Sequence, residues 1–181
     1  PSLDLTHFPV MLNEVIKISS PSQGGKFIDC TFGGGGYSKQ LLKFPKTLVR
    51  GLDRDKTVNI IAKKLENKFP NRFIFHQIKF SELDTVSSDL VDTVIFDLGL
   101  SSIQLNDFER GFSFKSSKNL DMSMGLSQIS AQDAINNLSE INLKLILKIL
   151  GEEKEASRIA KNIIKFRSEK KITKVNELVK I

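Results

Sequence analysis

The sequence has no tryptophan, one tyrosine, one cysteine and two histidines among its 181 residues. A single thiol, Cys30, closes no internal disulfide. With only His7 and His76 beside it, the chain also lacks the donors of a structural zinc site. Neither disulfide nor metal chemistry is expected. Apolar runs are short as well: none exceeds three residues, too few for a transmembrane helix or the apolar core of a signal peptide. A soluble, cytoplasmic protein with no membrane partner is the expectation. Pro 5 and Gly 11 exclude a collagen or a low-complexity polymer, and 40% apolar with 27% charged residues suffices for a packed core. The first residue is Pro1 rather than Met, which reads as a processed or trimmed start.

Acidic charge is in modest deficit. The net charge is +6, and residues 151–181 hold nine basic against five acidic groups, while residues 101–150 hold five of each. The excess therefore sits at the C-terminal end. It is either a solvated lysine-rich helix face or a surface for phosphates.

The chain has two textures. In the first hundred residues, short β-rich runs at 27–30, 48–53, 73–76 and 91–96 alternate with helical stretches at 37–43 and 55–68. Strands separated by helices imply right-handed parallel crossovers and an α/β layered sheet. From Ser130 the apolar period becomes 3.6. Ser130 and Ser139 suit helix caps, Leu143, Ile146, Leu147 and Leu150 form one stripe, Gly151 suits a stop, and Ile159, Ile163 and Phe166 form another stripe. The second part is expected to be all-helical.

The chemistry is sought where the first strand meets its glycines. Gly33-Gly34-Gly35-Gly36 between a buried strand and a helix lets the backbone approach a ligand closely, with free amides of the helix start facing it. No Gly-Lys-Ser/Thr follows, so this is no P-loop, and Ser38 stands where the last glycine of a dinucleotide pattern belongs. Asp53, at the end of the second strand, can accept both hydroxyls of an adenosine ribose. Asp55 is better placed than Asp53 to start the following helix. The fourth strand ends in Asp97-Leu98-Gly99-Leu100-Ser101-Ser102, which in an open α/β sheet faces the glycine loop across the switch of winding direction. An S-adenosylmethionine enzyme needs an acidic ribose contact, a close backbone contact along the methionine part and a polar wall near the methyl. This layout offers all three.

A longer set of segments carries a resemblance. His7-Phe8-Pro9-Val10-Met11-Leu12, Thr31 through Ser38, Leu52-Asp53-Arg54-Asp55, Asp97 through Leu105, Glu109-Arg110-Gly111-Phe112-Ser113-Phe114, Leu120-Asp121-Met122-Ser123-Met124 and Leu150-Gly151-Glu152-Glu153 follow one another in order. Together they resemble the bacterial ribosomal RNA small-subunit methyltransferase H family, also called MraW. The resemblance implies a class I, Rossmann-like, S-adenosylmethionine-dependent methyltransferase sheet, with residues 1–106 as its N-terminal part and 107–181 as an all-helical insertion. It implies N4-methylation of one cytosine in the decoding region of 16S ribosomal RNA, within the small ribosomal subunit, and leaves room for a homodimer. Carried over by position, the cofactor contacts are Gly35, Gly36, Tyr37, Asp53 on the ribose, Phe80 near the adenine, Asp97 and Gln104; no catalytic base is assigned. Tyr37 stands where His is usual, Ile103 where Pro is usual, Ser123 where Arg is usual and Cys30 where Gly is common. Phe112 and Phe114 are candidates to stack on an extruded cytosine or to pack in the insertion's core.

Members of that family continue for well over a hundred residues more, so the chain reads as a fragment. Residues 93–96 read as a strand buried on both faces that needs a further neighbour. Two other readings stay open. One is a non-catalytic RNA-binding or assembly remnant, distinguished by the absence of methyl incorporation; the other is a nicotinamide-dependent oxidoreductase, distinguished by titration with NADH.

Overall fold

The computed structural model describes residues 9–87 and 89–181, so His7 and Phe8 of the first resembling segment lie outside the described residues. The chain divides into two compact units: residues 1–103 with 124–126, and residues 104–123 with 127–181.

The first unit is a parallel sheet of β1 (Gly25–Asp29), β2 (Thr47–Leu52), β3 (Phe73–His76) and β4 (Thr93–Ile95) in the order β3-β2-β1-β4. Phe27 lies opposite both Val49 of β2 and Thr93 of β4, which fixes the register on each side of β1. Side chains alternate across the sheet. Phe27, Val49, Phe73 and Ile95 face a layer built from α1 (Leu12–Ser19), α2 (Gly36–Leu41) and α3 (Asn59–Lys68), against Leu12, Leu41, Leu42, Ala62 and Leu65. The crossovers β1-α2-β2 and β2-α3-β3 both run over this face, as same-handed connections moving in one direction along a sheet must. The opposite face buries Ile28, Cys30 and Leu52 under Val86, with Ile78, Leu83 and Val91 partly buried against them.

The four expected strands and both helices are present, with shifted bounds. Residues 56–58 form a 3-10 turn that Asp55 starts by accepting the Thr57 N–H at 3.1 Å, and α3 follows. α1 was not foreseen; its Leu12, with Val15 and Ile16, closes the end of the core. β4, a strand expected to need a further neighbour, is the open edge of the sheet: Ile95 is buried, but Val94 and Phe96 are 37% and 49% exposed. Among the described residues β4 lies at the sheet edge with β1 as its partner, so nothing there covers its outer side.

The second unit contains α4 (Ser102–Asn106, whose first two residues belong to the first unit), α5 (Ala131–Asn137), α6 (Glu140–Leu145), α7 (Ala156–Glu169) and α8 (Val175–Val179). Ser130 and Ser139 do cap helices: their hydroxyls accept the N–H groups of Asp133 at 3.1 Å and Asn142 at 3.2 Å. Leu120, Leu143, Ala160, Ile163, Ile172 and Val175 form the core. Arg167 locks α7 to the α5 end by donating to the carbonyls of Ile135 and Leu138, both at 2.6 Å. Of the expected stripe Leu143 is buried and Leu147 half-buried, and residues 146–150 form a π turn. Its wider winding breaks the 3.6 period, and Ile146 and Leu150 are exposed. In α7 the buried positions are Ala156, Ala160 and Ile163, with Phe166 partly exposed.

Candidate cofactor site

The strand order reverses at β1, with β2 and β3 to one side and β4 to the other, and the C-terminal ends of β1, β2 and β4 meet there. β1 passes directly into the glycine loop. Gly33 and Gly35 hold φ of +48° and +73°, conformations that a side-chain-bearing residue adopts only under strain. The loop closes as Gly35 N–H donates to the Phe32 carbonyl at 2.6 Å, and the Lys39 ammonium reaches back to the Gly34 carbonyl at 2.7 Å. Burial, followed by the charge of Lys68, lowers the pKa of Lys39.

Asp53 comes to the loop from the end of β2. One carboxylate oxygen accepts the Gly33 N–H at 2.8 Å and the other accepts the Asp55 N–H at 2.9 Å. Each oxygen keeps a lone pair for a further donor. Burial is the main cause of its pKa rising above the usual carboxylate range. Asp97 arrives from the end of β4, with its backbone N–H bound to the Thr31 hydroxyl at 2.8 Å. The Tyr37 hydroxyl lies 2.6 Å from the Val10 carbonyl and 3.3 Å from the Asp97 carboxylate. Burial first, then the charge of Asp97, pushes this phenol up to about 12, so it stays a neutral donor. A Cβ built on Gly33 would stand 3.9 Å from Ser101, which brings the glycine loop and the loop after β4 side by side.

The predicted residues Gly35, Gly36, Tyr37, Asp53 and Asp97 thus share one end of the sheet. Phe80, 45% exposed in the 3-10 turn after β3, packs edge-on against Phe96 at 5.6 Å between centroids and offers a ring beside the β4 end. Gln104 is buried on α4 and belongs to the second unit. Phe112 is half-buried with the Arg110 guanidinium 5.1 Å above its ring, and Phe114 is 73% exposed; neither is in the second unit's core. Sequence reasoning passed over Asp29, Thr31 and Ser38, the polar groups under the loop. The available signal was an acid ending an otherwise apolar strand.

The donor set fits a nucleoside-bearing ligand. A charged, half-buried carboxylate waits beside a glycine loop, and a Cβ on Gly34 or Gly99 would meet no atom within 4 Å, so both glycines open onto free space. The model of the MraW methylase family matches residues 4–181. The chain belongs to this family. Its curated relatives in the MraW methylase family include the ribosomal RNA small subunit methyltransferase H of Ehrlichia canis (strain Jake), 42% identical over 180 residues that make up 97% of this chain and 61% of that protein. The proteins of the same name from Maricaulis maris (strain MCS10) and Bartonella tribocorum (strain CIP 105476 / IBS 506) are 40% and 42% identical, covering 97% and 95% of this chain and 54% and 52% of their own lengths. This MraW-family chain therefore spans about 60% or less of the length of those relatives. Its sheet and helices are those of a Rossmann-like methyltransferase fold.

Proposed function

We propose that this chain carries the S-adenosylmethionine-binding part of an enzyme that methylates N4 of a cytosine in the decoding region of 16S ribosomal RNA, acting on the small ribosomal subunit in the cytoplasm. In this reading the first unit is the N-terminal part of the methyltransferase domain and the second is its helical insertion. The observation that carries it is the convergence of the Gly33–Gly36 loop, Asp53 and Asp97 at the switch in strand order. The names of the relatives supply the ribosomal RNA.

Bound S-adenosylmethionine supplies an electrophilic methyl, so the protein's task is alignment and exclusion of water more than acid-base work. Asp53 would accept the ribose hydroxyls, Phe80 would face the adenine, and the backbone of Gly35 and Gly36 would hold the methionine part. Asp97, 3.3 Å from the Tyr37 hydroxyl, would form the polar wall near the methyl. The cytosine amine is a poor nucleophile because its lone pair is delocalised into the ring. A hydrogen-bond acceptor on its N–H helps localise that pair, and no side chain is assigned as a base. Among the described residues no helix is long and apolar enough to cross a membrane.

Calorimetric titration tests the cofactor reading: S-adenosylmethionine is expected to bind this chain and NADH is not. Heat with NADH alone would replace the reading with an oxidoreductase. Methyl incorporation into small subunits, mapped to the modified base, tests the rest.

The RNA surface has its own expected result. Lys161, Lys165, Lys170 and Lys171 are all exposed, and Lys170 is held by Glu177 at 2.8 Å. Replacing the four with serine should flatten the salt dependence of RNA binding, with Lys170 contributing least, and leave S-adenosylmethionine affinity unchanged. An unaltered salt slope would make this a solvated face.

A further inference from the structure

Asp29 ends β1 with no exposed surface and takes no part in the site described above. Among the described residues no cation pairs with it. Its carboxylate instead accepts the Ser38 hydroxyl at 2.7 Å and the Thr31 N–H at 3.3 Å. Those two residues bracket the glycine loop: Thr31 precedes it, and Ser38, itself fully buried, lies in the first turn of α2. Thr31 in turn accepts the Asp97 N–H, so the hold extends to the end of β4. Burying a carboxylate without a counter-ion is costly, and among small polar side chains it is the one that turns two acceptor oxygens to two separate donors. A core that needed only filling would not place a charge there.

We propose that Asp29 is a positioning residue of the cofactor site, a carboxylate that pins both ends of the glycine loop and through Thr31 sets the place of Asp97. The proposal rests on the S-adenosylmethionine reading above. It also makes binding depend on pH. Desolvation, only partly offset by the Ser38 and Thr31 bonds and reinforced by the charge of Asp53, raises the Asp29 pKa to about 6. The other titratable groups around it are Cys30, just past β1 and pushed up to about 11, and Tyr37 on α2, pushed up to about 12, with Asp97 beyond Tyr37. Cys30 and Tyr37 stay neutral near pH 6. Protonated Asp29 loses acceptor capacity, so the loop loosens as pH falls.

The test is Asp29→Asn. At about pH 7.5 the amide, which cannot accept from both donors equally, should bind S-adenosylmethionine about tenfold more weakly than wild type, and the gap should close toward about pH 5 as the wild-type carboxylate protonates. Asp53 is present in both chains, so the part of the pH dependence that it carries independently of Asp29 cancels from the ratio. Ser38→Ala should weaken binding too and add little on top of Asp29→Asn, as expected for one linked device. Ser38→Ala also reads the link if the amide variant misfolds. Without any ligand, amide exchange at Gly33 and Gly35 should quicken in both variants. Stability should move the other way. A carboxylate with its folded pKa raised penalises the native state above about pH 6 and ceases to do so below its unfolded value, so Asp29→Asn should melt no lower than wild type at neutral pH.

Equal affinities at about pH 7.5, or a gap that does not change with pH, would overturn the proposal and leave the cofactor reading standing. Failure of the wild-type chain to bind S-adenosylmethionine would overturn that reading and this one with it.

Discussion

Gly35→Val is expected to abolish S-adenosylmethionine binding and to lower stability by about 2–4 kcal/mol, through two independent effects. The backbone at Gly35 has φ +73°, which a β-branched residue does not tolerate. A Cβ there would also lie 2.8 Å from two ring carbons of Phe32. That ring cannot yield, because Phe32 is 2% exposed and wedged against Phe73 and Phe75 at 5.5 and 5.3 Å between centroids. The loop must therefore move, and with it the amides that face the ligand. Backbone strain and the aromatic floor therefore act together against a side chain at Gly35. Gly34→Ala is the companion variant. Its φ is not positive and its Cβ would meet nothing within 4 Å, so the fold should be unchanged. If Gly34→Ala weakens S-adenosylmethionine binding at wild-type stability, the ligand lies against the loop. If Gly35→Val melts and binds like wild type, the loop is not the site.

How much of this was legible depended on whether a signal was local. The strands at 27–30, 48–53 and 73–76 were readable because each is a short apolar run bounded by turn residues, and the glycine loop because four consecutive glycines have few other uses. Asp53 was readable through its position just after a strand, and Asp55 as the residue that starts the next turn. What escaped was set by partners distant in sequence or by a change of helical winding. Asp29 looks like any strand-ending acid until Ser38, nine residues on, is seen to donate to it in a dry interior. Val94 and Phe96 read as a buried strand because they are apolar, yet Val94 is 37% exposed, and Phe96, packed edge-on against Phe80, is 49% exposed. Leu150 follows Leu143 at helical spacing, and only the π turn at 146–150 shows why it faces outward.

Asp53→Ala should weaken S-adenosylmethionine binding at least a hundredfold, since each hydrogen bond from a ribose hydroxyl to a charged acceptor is worth about 1.5–3 kcal/mol and two are expected. The variant also frees the Gly33 N–H, now bound at 2.8 Å, and the Asp55 N–H, bound at 2.9 Å, so part of the loss will come from a looser loop. The two contributions separate in a double-mutant cycle that uses a 2′-deoxy analogue as the second change. Wild type should lose about tenfold or more on going to the analogue, while Asp53→Ala, with no acceptor left, should treat both ligands alike. Acidity provides a third check. Burial raises the Asp53 pKa, so the charged acceptor is lost at a higher pH than for an ordinary aspartate, and affinity should fall as pH drops through that range. In Asp53→Ala the share of the decline that comes from Asp53 should disappear, leaving the share carried by Asp29. A change of less than about threefold in affinity, with the fold intact and the preference for the 2′-hydroxyl retained, would remove Asp53 from the site and leave the glycine loop without its ribose partner.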